Sequence, residues 1–75
     1  NEWLFSARHE VEYLNEEYSL GIPESDEYDT LAGYIIAEHG GIPSEGEMLH
    51  NELFSIKIIS RKQSRLDVVS VRLNK

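Results

Sequence analysis

The chain contains no cysteine among its 75 residues. Neither a disulfide nor a thiolate-bound zinc ion can therefore reinforce its core. It also lacks any apolar run close to the roughly 18–20 residues that span a bilayer. The longest such stretch, Leu31–Ala37, is interrupted by Gly33 and Tyr34. A chain of this length forms one domain with a small core. We therefore predict a single domain over residues 1–75, from a reducing compartment.

Basic residues are nearly absent from the first part of the chain. Residues 1–52 hold 13 Asp and Glu against Arg8 alone. Residues 53–75 reverse this balance, with Asp67 against Lys57, Arg61, Lys62, Arg65, Arg72 and Lys75. The acidic excess argues against binding to nucleic acid or to an anionic membrane. It predicts an acidic surface that is either simply solvated or attracts cations or a basic partner.

The motifs of common enzyme classes are also missing. No Gly-x-Ser-x-Gly motif is present to hold a nucleophilic serine. Gly40-Gly41 is not a phosphate-binding loop, because it follows a predicted helix and does not precede one. The histidines His9, His39 and His50 share no helical i, i+3 or i+4 spacing suited to zinc. We therefore predict that the chain is not an enzyme and has no catalytic residues, metal ligands or resident cofactor. The residues of any ligand site are left undetermined.

Two groups of side chains permit a functional alternative. The carboxylates of Glu24, Asp26, Glu27 and Asp29 suit hard cations, but they lack the ligand spacing and central glycine of a calcium loop. Charge at a helix N-terminus explains them equally well. The tyrosines Tyr13, Tyr18, Tyr28 and Tyr34 could form a ring-stacking pocket. At helical spacing, Tyr18 and Tyr34 are more typical of a core edge, with their hydroxyls in water.

The first half of the chain has the period of helices. A strand at Trp3–Phe5 is followed by Ser6 as a possible helix cap and by an apolar stripe of Ala7, Val11, Leu14 and Tyr18. The opposite face carries Glu10, Glu12, Glu16 and Glu17. A second helix is predicted to open at Pro23–Asp26, capped by Ser25 or Asp26, and to end at Gly40-Gly41. We expect Gly33, inside that helix, to permit close approach of a neighbouring strand or helix.

The second half alternates with the period of strands. Glu47–His50 predicts a short strand, and Phe54, Ile56 and Ile58 mark the inner face of the next, with Ser55 and Lys57 outward. After a polar turn at residues 61–64, Val69, Val71 and Leu73 face inward, and Asp67 is placed where the strand leaves the turn. The resulting fold is α+β with the order β-α-α-β-β-β, an antiparallel meander with both helices on one face.

Five segments carry a family resemblance. They are Leu14-Asn15-Glu16, Leu20-Gly21-Ile22-Pro23, Tyr28-Asp29-Thr30-Leu31-Ala32-Gly33, Gly41-Ile42-Pro43 and Gly46-Glu47. Together they resemble the CorC/HlyC transporter-associated domain over nearly the whole chain. The chain departs from the family at Phe5-Ser6-Ala7, where glycine is frequent, and at Gly41, where the family has a basic residue.

The resemblance implies a cytoplasmic accessory domain of a hemolysin-like magnesium or cobalt efflux protein. Its expected partners are a pair of CBS domains and a transmembrane region of the same chain, with self-association as an open alternative. The start at Asn1, with strand-like sequence from Trp3, agrees with a fragment of a longer membrane protein. The family fold is similar to part of some flavin-binding domains, so a flavin or adenine-nucleotide sensor is the alternative function.

Overall fold

The computed structural model describes residues 1–74, and the basic residue Lys75 lies outside them. Its elements are β1 (Glu2–Ser6), α1 (Val11–Tyr18), α2 (Leu31–His39), β2 (Met48–His50), β3 (Phe54–Lys62) and β4 (Arg65–Leu73). The strands form one antiparallel sheet in the order β1-β4-β3-β2. The predicted α+β class, element order and three-stranded meander are therefore confirmed, with β1 added beside β4.

One core joins both helices to one face of the sheet. Val11 and Leu14 of α1 and Leu31, Tyr34 and Ile35 of α2 are buried in a single cluster with the inward residues of the strands. The strands supply Phe5, Phe54, Ile56, Ile58, Leu66, Val69 and Val71 to it. The predicted inward sets of β3 and β4 are confirmed, although Leu73 is only half-buried. Since burial of such side chains drives folding, this face fixes the register of the sheet.

The first helix begins later than predicted. Ser6 does not cap α1; its side chain accepts a hydrogen bond from the Arg8 N–H within a turn. Glu10 precedes the helix in extended geometry, and the Val11 N–H donates to the Asp29 carbonyl at 2.8 Å. Ala7 is buried, as expected, but it lies in the turn before α1 and not in the helix itself. At its other end α1 stops at Ser19, which takes the left-handed conformation before Gly21 is reached.

The predicted start of the second helix is also wrong. Thr30 is the N-cap of α2, and its Oγ1 accepts a hydrogen bond from the Gly33 N–H at 3.1 Å. Ser25 instead closes a local turn by accepting from the Glu27 N–H. Pairing of Thr30 with Glu10 holds Thr30 extended, so a helix cannot pass through it. The predicted end is confirmed, since Gly40 adopts a left-handed φ of 84°.

Backbone hydrogen bonds join the turn after β1 to the first turn of α2. The Leu31 N–H donates to the His9 carbonyl at 2.9 Å, and the Ala32 N–H donates to the Ala7 carbonyl at 2.8 Å. The Ala7 N–H in turn donates to the Asp67 carbonyl of β4 at 2.8 Å. We call these residues, with the Glu10–Thr30 bridge and the Val11–Asp29 bond, the junction. It satisfies amides that a helix N-terminus otherwise leaves without intrahelical partners.

A local irregularity in the β3–β4 pairing corrects the placement of Asp67. The register shifts between Ile58 and Ser60 and again between Ser60 and Arg61. Asp67 therefore lies within β4, where its side chain accepts from the Ser60 hydroxyl at 3.1 Å. The shift reverses the alternation of β4, so Leu66 points into the core. Strand β3 also runs to Lys62, so the predicted polar turn is shorter than expected.

The Asn15 side chain holds the loop that follows α1 in place through two hydrogen bonds. Its Nδ2 donates to the Ile22 carbonyl at 2.9 Å, and its Oδ1 accepts from the Ile22 N–H at 2.8 Å. The side chain thus pairs with a backbone unit as a neighbouring strand would. Leu20 and Ile22 are buried as a result, at 5% and 3% exposure. Asn15 therefore orders the Leu-Gly-Ile-Pro segment that follows α1.

Asn15→Ala is expected to lower the free energy of unfolding by about 2–3 kcal/mol, because both polar groups of buried Ile22 lose their partner. Urea denaturation measures the change. Glu16→Ala, at an exposed position on the same helix, serves as the control and should stay within about 0.5 kcal/mol of the original chain. A loss for Asn15→Ala no larger than that of the control would contradict this role.

Gly33→Ala tests the predicted close approach at α2. A Cβ on Gly33 would lie 2.6 Å from the Cβ of Tyr28, which is fixed close to the backbone. We expect a net loss of roughly 1–3 kcal/mol in unfolding free energy, despite the higher helix propensity of alanine. Ala37→Gly, at an exposed site of the same helix, calibrates the propensity contribution at about 1 kcal/mol. An increase in stability on Gly33→Ala would refute the packing interpretation.

Candidate functional site

A cleft of about 340 Å³ opens between the start of α1 and the loop before α2. We call it the acidic cleft; it is lined by Glu10, Val11, Glu12, Glu24, Ser25, Tyr28 and Asp29. In the sequence these carboxylates fall into two separate groups, one predicted on a helix face and one at a helix start. The structure brings two members of each group together, whereas Glu16, Glu17, Asp26 and Glu27 do not line the cleft. Only the pairing of residues 10 and 30, which is distant in sequence, could have indicated this.

Local hydrogen bonds hold the far wall of the cleft in place. Ser25 and Tyr28 form an isolated bridge, and the Tyr28 hydroxyl donates to the Pro23 carbonyl. Partial burial, and then the charges of Glu38 and Glu27, raise the pKa of Tyr28 above its ordinary value. The hydroxyl therefore remains a protonated donor at neutral pH. The wall is thus a folded loop whose carboxylates project from defined backbone positions.

The acidic cleft gathers negative charge but has no metal coordination shell within the described residues. Within residues 1–74, no three His, Asp or Glu side chains converge closely enough to hold a metal ion. Magnesium requires near-ideal octahedral geometry and keeps much of its water. The carboxylates are therefore suited to a diffuse attraction for hydrated divalent ions, which weakens as salt is added.

A second polar cluster closes the loop between α2 and β2. The His39 Nε2 lies 2.6 Å from Glu47 Oε2, and its Nδ1 lies 3.0 Å from the Gly41 carbonyl oxygen. Both partners are acceptors, so the arrangement requires both ring nitrogens to carry protons. Glu47 also accepts from the Ser44 N–H at 2.9 Å. We call this the His39–Glu47 clasp. It joins the C-terminal end of α2 to the residue just before β2.

The uncovered face of the sheet is mixed in character. One row across it contains Leu4, Ser70, Lys57 and Met48, with Leu4 and Met48 among the most exposed apolar residues. The next row contains Glu2, Arg72, Ser55 and His50. Lys57 is exposed, as predicted, and Arg72 is exposed beside it. Ser55 points to this face but is only 4% exposed, because the side chains of His50 and Asn74 cover it.

The contact of Ser55 with His50 does not resemble a nucleophile and its base. The Ser55 hydroxyl donates to Asn74 Oδ1 at 2.8 Å, so its oxygen is left to accept from His50 Nδ1 at the same distance. Donor and acceptor are both occupied, and the oxygen is buried. The group therefore links the ends of β2, β3 and β4.

The four tyrosines do not converge. Tyr18 meets Trp3 and Phe5 at the sheet edge, Tyr13 stacks on His9, and Tyr28 contacts Tyr34. Tyr34 lies deeper than predicted, at 2% exposure, and its hydroxyl accepts from Asn51 Nδ2 at 3.0 Å. The Tyr34 hydroxyl therefore bonds to the β2–β3 turn, although the sequence had predicted that it would reach water.

Among residues 1–74, no helix is long and apolar enough to cross a membrane.

Comparison with known proteins agrees with this architecture. The model of the transporter associated domain, CorC_HlyC, matches residues 1–75. The chain therefore belongs to the CorC/HlyC transporter-associated domain family, which confirms the resemblance seen in its sequence motifs. It is 28% identical over 75 residues to a UPF0053 protein of Buchnera aphidicola, covering 99% of this chain and 14% of that protein. The chain thus spans about a seventh of that relative's length.

Solved structures give the same fold. A hemolysin domain from Enterococcus faecalis superposes with a TM-score of 0.84 at 31% identity, covering all of this chain and 90% of that one. The transporter associated domain of a Xylella fastidiosa hemolysin, in complex with Mg²⁺ and Mn²⁺, has a TM-score of 0.79 at 26% identity. That match covers 99% of this chain and 89% of the other. The chain is thus a transporter-associated domain of the kind found in hemolysin-like and CorC-like proteins.

The His39–Glu47 clasp predicts a pH-dependent loop. Hydrogen bonds to Glu47, and then to Gly41, raise the pKa of His39 above 6.5, so its contribution is complete below that pH and is lost as pH rises through the folded value. Bonds from Ser44, and then His39, lower the pKa of Glu47 below 4.5, so its contribution is present above that pH and is lost on acidification. The clasp is therefore strongest between about pH 4.5 and 6.5.

His39→Gln should raise amide hydrogen exchange at Gly46 and Glu47, relative to the original chain, more at pH 5.5 than at pH 8, after correction for intrinsic rates. His9→Gln is the matched control, since His9 makes no ion pair among residues 1–74. A His39→Gln effect of equal size at both pH values would show that charge does not hold the loop.

Proposed function

We propose that this domain is a non-catalytic accessory element that modulates divalent cation transport, of magnesium or cobalt, by the membrane protein of which it is part. The acidic cleft is the observation that carries the proposal. It gathers four carboxylates in a chain of net charge −7. Hydrated divalent ions are the counterions that such a surface concentrates most strongly. The Mg²⁺ and Mn²⁺ complex of the related Xylella domain supports the same ligand class.

In this proposal the domain lies at the cytoplasmic face of the membrane and works through contacts within its own chain. A CBS pair and the transmembrane region are the proposed partners. Ion occupancy of the acidic cleft would change the charge that the domain presents to them. An ion bound at the cleft regulates transport if it changes the free energy of the contact between this domain and its partners. Partial neutralisation of the four carboxylates would make that change.

The alternative function, a flavin or adenine-nucleotide sensor, has less support in the geometry. The acidic cleft would repel phosphates, despite the aromatic ring of Tyr28 in its wall. Tyr13 and Tyr18 lie in separate contacts, and Tyr28 meets Tyr34 edge to face, so no two tyrosine rings stack among residues 1–74. Titration with flavin mononucleotide or adenosine monophosphate, followed by absorbance and fluorescence, tests this alternative directly.

The proposal predicts that Glu10→Gln, Glu12→Gln, Glu24→Gln and Asp29→Asn, combined in the full-length parent protein, will change divalent transport. The concentration of Mg²⁺ giving half-maximal flux should shift by at least about fivefold, the lower end of typical coupling energies. The matched control is Glu16→Gln, Glu17→Gln, Asp26→Asn and Glu27→Gln. It removes the same formal charge from positions outside the cleft.

Equal shifts in the two combined variants would assign the effect to net charge and contradict a role for the cleft. Unchanged transport in both, with normal expression and folding, would contradict the proposed function itself. Magnesium titration of the 75-residue chain separates binding from regulation. It should perturb the amides around Glu10 and Asp29 at low salt, and the perturbation should fade as ionic strength rises.

A further inference from the structure

A second groove, of about 300 Å³, lies where α2, the turn after β1 and the β3–β4 hairpin meet. Its floor is apolar and is formed by Ala7, Ala32, Ile36 and Leu66. Thr30 and Ser64 add hydroxyl groups to its rim. Two exposed arginines, Arg8 and Arg65, complete the lining. We call this the arginine groove.

The charge of this groove is opposite to that of the domain. Arg8 is the only basic residue among the first 52. Neither Arg8 nor Arg65 forms an ion pair among residues 1–74, where the one ion pair joins His39 to Glu47. In a chain with 14 acidic residues, two unpaired guanidinium groups on one apolar groove leave a local positive site available to an outside anion. A guanidinium group matches carboxylate and phosphate oxygens with paired N–H donors.

The backbone N–H groups at this site already have hydrogen-bond partners. The groove borders the start of α2, a position that commonly attracts anions. In this domain the Leu31 and Ala32 N–H groups donate to carbonyls of the junction, and the Gly33 N–H donates to Thr30 Oγ1. Recognition of an anion therefore falls to the arginine side chains, and the apolar floor is suited to an apolar part of the same ligand.

We propose that the arginine groove binds a small organic anion, a carboxylate or phosphate monoester carried on a short aliphatic body. The volume is at the lower end of the range for small-molecule pockets, so the ligand is compact. The lining contains no aromatic side chain, which favours an aliphatic body over a stacked ring. This site is separate from the acidic cleft and does not depend on the proposed transport function.

Four probes resolve the required chemistry when titrated into the ¹⁵N-labelled chain and followed by NMR. Hexyl phosphate and hexanoate carry both an anion and an aliphatic chain, hexanol carries the chain alone, and inorganic phosphate carries the charge alone. We expect one or both of the first two to shift the amides of Arg8, Ala32, Ile36 and Arg65, with a Kd on the order of 1 mM. Hexanol and inorganic phosphate should bind at least about tenfold more weakly, because each lacks half of the contacts.

The arginines are tested with Arg8→Gln and Arg65→Gln, each expected to weaken binding by about tenfold through loss of a charge-assisted hydrogen bond. Both side chains are exposed, so folding should be preserved. Lys62→Gln is the matched control, because it removes one positive charge from the same hairpin without lining the groove. Its effect should be less than about twofold if the guanidinium contacts are specific.

Preference between hexyl phosphate and hexanoate identifies the ligand as a phosphate monoester or a carboxylate, and either result supports the site. Absence of groove shifts with both probes would overturn the proposal. So would equal weakening by Lys62→Gln, since attraction would then come from the general charge of the hairpin. If only an acetylated, amidated Ile-Glu dipeptide shifts the groove amides, the occupant is an acidic protein segment and the small-ligand assignment is wrong.

Discussion

The junction between the turn after β1 and the start of α2 is the constraint on which the rest of the structure depends. A helix N-terminus leaves amides without intrahelical partners. In this domain the carbonyls of Ala7 and His9 accept two of them, while Asp67 of β4 accepts from Ala7. The contact thus ties α2 to the sheet through a turn of only a few residues. Ala7 is fully buried at its centre, where a larger side chain would separate the elements.

Both candidate sites are built on this junction. Glu10, Val11 and Asp29 contribute to the acidic cleft, whereas Ala7, Arg8 and Thr30 contribute to the arginine groove. The same backbone pairing therefore positions carboxylates and guanidinium groups at distinct surfaces of one small domain. The ion pair found among residues 1–74 joins His39 to Glu47 and involves none of these groups. The proposed function and the proposed anion site both depend on this separation of charge.

Local patterns predicted the parts of the fold that local interactions determine. The alternation of Phe54, Ile56 and Ile58 indicated the buried face of β3 correctly, and Val69 and Val71 did the same for β4. Gly33 was correctly expected to mark a close approach, but its neighbour is Tyr28 in the loop before α2 and not a strand or another helix. These residues report burial directly, since each faces the core at the period of its own element.

The starts of both helices and the candidate sites depended on contacts that are distant in sequence. Ser25 and Asp26 are reasonable caps by residue type, but Thr30 is held extended by Glu10 and so sets the start of α2. The shift at Asp67 likewise arises from its pairing with β3 and places Leu66 inward. Nothing in the sequence around Thr30 or Asp67 indicates that Thr30 pairs with Glu10 or that Asp67 contacts Ser60. The acidic cleft and arginine groove could not be predicted for the same reason.

Native-state hydrogen exchange of the Leu31 and Ala32 amides tests the central claim most directly. If the junction holds the domain together, these amides should open only with global unfolding and show protection equal to that of Ile56 in the central strand β3. The contradicting result is exchange as fast as that of the exposed loop around Asp26, with Ile56 still protected. In that case α2 and the turn after β1 would separate independently of the sheet, and the junction would not be what holds the domain together.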